Sequence, residues 1–124
     1  MLLLYSIHHK KQQLLQQGMH HLTEQELAAA ETAWNSGNDG KARVCVRRAV
    51  AIADATWLAT QSDQPFRGDA MAHLRRIRQD LSLPGSVREA AKRLSTAVHQ
   101  KDAAPFSKDP IGDARIIIIH LFTL

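Results

Sequence analysis

Arg43, Arg47 and Asp54 stand at intervals of four and seven residues in a segment that reads as a helix, so all three fall on one face. Two guanidinium groups one turn apart can hold an anion such as a phosphate; the same spacing also describes a wet helix face on which Asp54 and acids of the preceding helix neutralise the arginines. Arg75 and Arg76 supply a second cationic pair. Arg43, Arg47, Arg75 and Arg76 are therefore the candidate anion-binding residues.

Other reactive types are less well placed. The doublets His8-His9 and His20-His21 lack an ordered third ligand, so neither a metal nor any other cofactor is expected. Gly37-x-x-Gly40-Lys41 superficially resembles a phosphate loop, but the first glycine and the closing Ser or Thr of that motif are missing and no strand precedes it. It reads as a helix-linking turn. Cys45, the single cysteine, excludes an internal disulfide and sits among alanines, which makes it a small core residue and fits a reducing cytoplasm.

The elements that must position these groups are helical. Ala42, Cys45, Ala49, Ala53 and Thr56 form one narrow stripe with Val46, Val50 and Trp57 on its flank, a small-residue seam that lets neighbours approach closely and marks the central helix of a bundle. Before it, Thr23 with Glu26 is a capping box and Leu22 with Leu27 a hydrophobic staple, predicting a helix start at Thr23 and a stop at Gly37. Asp39 or Gly40 starts the central helix, which runs to about Thr60.

Ser62 to Gly68 is a loop. Asp69 caps a third helix with Ala70, Leu74, Ile77 and Leu81 at helical spacing. Leu83-Pro84-Gly85 breaks it, Ser86 with Glu89 forms a second capping box, and Val87, Ala91, Leu94 and Val98 face the core of a fourth helix. Asp109-Pro110 opens a last one. Its Ile116 to Ile119 run would suit a buried strand, but no partner strand is in sight, which favours a short buried helix. Residues 1 to 18 carry Leu4, Ile7, Leu14 and Leu15 at amphipathic spacing.

The expectation is all-α: an up-and-down bundle of four to five helices, with residues 1–21 a leader, helical in pattern, and 22–124 a single domain. At 124 residues the chain can sustain a core without staples. The apolar start, Met1 to Tyr5, is too short for a span, so no membrane association is expected. Net charge is +4, but the sign is uneven: residues 1–40 hold two lysines against four acids, and residues 41–93 hold eleven Lys and Arg against five. The basic middle favours an anionic partner.

A helix ending in Gly37, the segment Ala42-Arg43-Val44-Cys45-Val46-Arg47-Arg48-Ala49, the His73-Leu74-Arg75-Arg76-Ile77 helix, the Leu-Pro-linked helix and the closing Asp113-Ala114-Arg115-Ile116-Ile117 together resemble the HEPN (higher eukaryotes and prokaryotes nucleotide-binding) family over about residues 22 to 121. The resemblance implies a helical bundle that commonly dimerises and that is either a metal-independent ribonuclease or a non-catalytic module. It implies a homodimer, a protein partner encoded nearby, and nucleotide or RNA as ligands.

Catalytic members carry an Arg followed after four to six residues by a His. Arg67 with His73 and Arg115 with His120 have that spacing. The chemistry is apt for RNA cleavage, since histidine can move the 2′-hydroxyl proton while arginine steadies the phosphate. Family nucleases usually place a polar residue after the Arg, whereas Gly68 and Ile116 follow here. The expectation is thus a dimeric, non-catalytic module binding a protein partner or an anionic ligand; a toxin-type ribonuclease and a purely structural interaction protein are the alternatives.

Overall fold

The computed structural model describes the backbone of residues 2–124 and the side chains from residue 17 onward. The amphipathic pattern of the leader and the His8-His9 doublet lie outside the described side chains. Five α-helices follow one another with no strand among the described residues: α1 (Leu2–Asn35), α2 (Asp39–Gln61), α3 (Ala70–Gln79), α4 (Gly85–Ser95) and α5 (Pro110–Thr123), with a single 3-10 turn at Val98–Gln100. No described helix is long and apolar enough to cross a membrane.

The strongest sequence signals act as expected. Gly37 takes a φ of +81°, the left-handed conformation that ends α1 at little cost only for glycine. Asn38 then caps α2, its side chain accepting from the Lys41 amide at 3.2 Å. Asp69 accepts from the Ala72 amide at 2.9 Å, and Asp109 accepts from the Gly112 amide at 3.0 Å, with Pro110 in the first turn of α5. The Ile116 to Ile119 run is helical within α5. Ala42, Cys45, Ala49 and Ala53 of the small-residue seam are buried, Thr56 is half-buried, and α2 packs against α1, α3 and α5, so it is the central helix.

Both capping boxes fail, for one reason. α1 runs unbroken through Thr23, whose hydroxyl donates to the Met19 carbonyl at 2.8 Å, one turn back, instead of capping a start. Leu22 is exposed, so the staple with buried Leu27 does not form. Ser86 likewise lies inside α4, which begins at Gly85 after Pro84 with no side-chain cap. Leu81 falls beyond the end of α3 and is 83 % exposed, and Val98 leaves α4 for the 3-10 turn, where it is exposed too. Trp34 is 38 % exposed as well.

Candidate functional site

Two buried carboxylates organise the polar interior. Asp54, on α2 and fully buried, meets two residues of α3. Its Oδ2 accepts from Nδ1 of His73 at 2.7 Å and from Nε of Arg76 at 2.9 Å, while Oδ1 accepts from Nη2 of Arg76. His73 and Arg76 are three residues apart on a helix, so α3 presents both to α2 from one stripe. Nη1 of Arg76 reaches Asp80 at 2.9 Å, and the guanidinium lies 5.2 Å from the Trp57 ring centroid.

Burial works against the charge on Arg76, but the hydrogen bonds and attraction of Asp54 and Asp80 outweigh it and raise its pKa above the ordinary value. Asp80 is pulled below the ordinary carboxylate range, first by the Ser82 hydroxyl that donates at 2.6 Å and then by Arg76.

An ionised Asp54 only accepts, so Nδ1 of His73 carries the proton. Nε2 takes no partner among the described residues. The Phe66 ring tilts over the imidazole at a centroid distance of 4.6 Å. Gly68 makes this possible: a Cβ there would stand 2.7 Å from Cβ of Ala72 and 2.9 Å from the Phe66 ring. The glycine that departs from the nuclease pattern after Arg67 is thus a site of close approach between loop and helix.

The second carboxylate, Asp113 at the start of α5, accepts from Arg93 through Nε at 3.1 Å and Nη2 at 2.7 Å, and from the Ser107 hydroxyl at 2.7 Å. This pairing raises the pKa of Arg93. Arg43 completes the clasp: its Nη1 donates to the Ser107 carbonyl at 2.7 Å, with its guanidinium 4.3 Å from the Phe106 centroid and 5.8 Å from that of Trp34. Arg47 donates to the Leu94 carbonyl at 3.2 Å, satisfying a backbone group at the end of α4, and its pKa is lowered by burial and by the nearby Arg43 charge.

The expected Arg43, Arg47 and Asp54 ridge is therefore neither a phosphate cradle nor a wet face. Arg43 is 7 % exposed, and all three residues are held by groups of α3, α4 or the loop before α5. The spacing was read correctly, but its partners are backbone carbonyls and side chains distant in sequence, and no local pattern announces those. Of the remaining anion candidates, Arg76 is half-buried and held by Asp54 and Asp80, and Arg75 is exposed without a carboxylate partner among the described residues.

Neither Arg-His pair converges. Arg67 is exposed in the loop before α3 and shares no hydrogen bond with buried His73. Arg115 is drawn to α1, where Glu31 accepts at 3.1 Å and Glu24 stands at 3.9 Å. His120, five residues on in the same helix, points about 140° away from it. His21 bonds Gln25, and His20 stacks on Phe122 at 4.8 Å. His20 and Phe122 border a groove of about 700 Å³ where α1, the end of α2 and the end of α5 meet.

What sequence reasoning missed is the Asp54-His73-Arg76 set. Its only signal was His73 and Arg76 at helical spacing beside an aspartate in a small-residue seam. Compared with family models, curated proteins and solved structures, the chain matches none.

Proposed function

We propose that the chain is a dimeric, non-catalytic helical module of HEPN type that binds an anionic ligand, RNA or a nucleotide, on the outer face of α3. The observation that supports this reading is the division among the arginines. Arg43, Arg47, Arg76 and Arg93 brace the interior, whereas Arg75 and Arg78, three residues apart on α3, are exposed and lack a carboxylate partner among the described residues. Free guanidinium groups on one helix face attract phosphate without arranging any proton transfer.

The test is RNA binding across a salt series in chelator-containing buffer, with cleavage followed in the same samples. Binding that falls steeply with salt, weakens on Arg75→Ala with Arg78→Ala, and leaves the RNA intact supports the module. Absent binding at low ionic strength would put a purely structural interaction protein in its place. One observation favours the ribonuclease reading: His73 is oriented by Asp54 and keeps Nε2 unbonded among the described residues, as a general base requires. Metal-independent cleavage that His73→Gln abolishes would replace the binding module with that enzyme.

A further inference from the structure

The groove at the end of the bundle is lined by groups that the α3 face does not use. Its floor is apolar, with Ile118 and Leu121 of α5 buried there. Half-buried Trp57 of α2 and half-buried Phe122 of α5 form the walls, and His20 of α1 lies on Phe122 at a centroid distance of 4.8 Å. Gln17, Glu24 and Thr60 are exposed at the rim. Gln17, His20 and Glu24 come from one stripe of α1, since residues three and seven apart share a side of a helix. At about 700 Å³ the groove has the size of a small-molecule site.

Its polar groups are mostly acceptors. Thr60 and Thr123 donate their hydroxyl protons to the carbonyls of Trp57 at 2.6 Å and His120 at 3.0 Å, and Thr56 donates to the Ile52 carbonyl at 2.7 Å. Each hydroxyl therefore offers a ligand lone pairs and no proton. Glu24 adds a carboxylate that accepts no hydrogen bond among the described residues: its ion-pair partner Arg115 stands 3.9 Å away and hydrogen-bonds to Glu31 at 3.1 Å instead. The donors among the lining side chains are an amide, an indole and an imidazole, and none carries a fixed positive charge.

The field around the groove has the same sign. It lies against the C-terminal ends of α2 and α5, where helix dipoles are negative, and the last turn of α2 holds no basic residue. The chain has 16 Lys and Arg, yet none of them lines this groove among the described residues. An acceptor-rich, negative rim over an apolar floor selects a ligand with positive charge at one end and carbon at the other.

We infer that the groove binds an organic ammonium ion with an apolar body, of the arylalkylamine class. Its ammonium is taken by Glu24 and the Thr60 oxygen, and its body lies against Trp57, Phe122 and the Ile118 floor. The site is independent of the α3 face, since it uses other helices and takes the opposite charge.

Titration of the full chain with phenethylammonium, followed by amide and indole cross-peaks in a proton–nitrogen correlation spectrum, tests it. Saturable shifts are expected at Trp57, Thr60 and Phe122 and none at Arg75 or Arg78. Phenethyl alcohol, which lacks the charge, is expected to bind about tenfold more weakly, and phenylpropionate not at all. Glu24→Gln should weaken the ammonium about tenfold, whereas Arg115→Gln, which frees Glu24 of its competing cation, should tighten it about threefold. Both side chains are at the surface, and the unshifted remainder of each spectrum checks that the variants keep the fold. Absence of shifts at ligand concentrations up to about 10 mM, equal affinity for the alcohol, or an affinity that ignores Glu24→Gln would each overturn the site.

Discussion

Asp54 and Asp113 are two versions of one device, a buried aspartate gripped side-on by an arginine, and they differ in the third partner. At Asp113 that partner is the Ser107 hydroxyl, and Arg43 on the Ser107 carbonyl ties the loop before α5 to α2. At Asp54 it is His73, an imidazole with one nitrogen fixed and the other unbonded among the described residues. The Asp54 site is also drier: its arginine side chain is 18 % exposed, against 34 % for Arg93. The same ion pair makes a clasp in one place and holds an oriented imidazole in the other. The third ligand and the access of water set the difference, not the pair itself.

The sharpest way to break the comparison is to remove the two carboxylates in turn. Asp54→Ala strands a buried imidazole and leaves the half-buried Arg76 guanidinium with Asp80 as its one carboxylate, and is expected to cost about 3–5 kcal/mol, while Asp113→Ala, whose arginine can turn to solvent, is expected to cost about 1–3 kcal/mol. Denaturant titration of both variants reads the gap; equal losses would mean that the drier site gains nothing from its burial.

A smaller effect sharpens the clasp. Arg43→Ala removes one buried charge-assisted hydrogen bond and the contacts with Phe106 and Trp34, for an expected loss of about 1–3 kcal/mol. Arg48→Ala, on the exposed side of the same helix, should cost under about 0.5 kcal/mol. Thermal unfolding of the two variants side by side checks this.

Gly68→Ala probes the His73 site without touching its charges. The new methyl must push Phe66 off His73, so hydrogen–deuterium exchange at the start of α3 should quicken while exchange around Ser107 stays as it was. Unchanged exchange at both places would show that Phe66 does not shield the imidazole.

The smallest expected effect is on the acid side. The pKa of Asp80 is depressed in the folded chain, so the unfolded chain binds its proton first as pH falls. The stability that Asp80 contributes is complete above the ordinary carboxylate range and disappears as pH drops through its lower folded value. Asp80→Asn should therefore lower stability at neutral pH by under about 1 kcal/mol and flatten the acid limb of a stability-versus-pH curve. A limb as steep as that of the wild type would place the titration on other carboxylates.

Local chemistry was enough wherever the signal and its consequence lie within one turn. Gly37 had to end α1 because only glycine accepts that φ cheaply, Asp69 and Asp109 had to cap because their carboxylates reach the amide three residues on, and the Ala42 to Ala53 seam had to be buried because small residues in register admit a close neighbour. All-α architecture followed from these. Where one side chain has two local outlets, packing chose between them. Thr23 can cap a start or bond back to Met19, and α1 lying unbroken along α2 selects the second. The polar interior was beyond reach for a further reason: the carbonyls of Leu94 and Ser107 that hold Arg47 and Arg43, and the α3 pair that holds Asp54, lie from 19 to 64 residues away. An arginine on a helix face is wet or buried according to what crosses it, and only the tertiary fold decides what crosses.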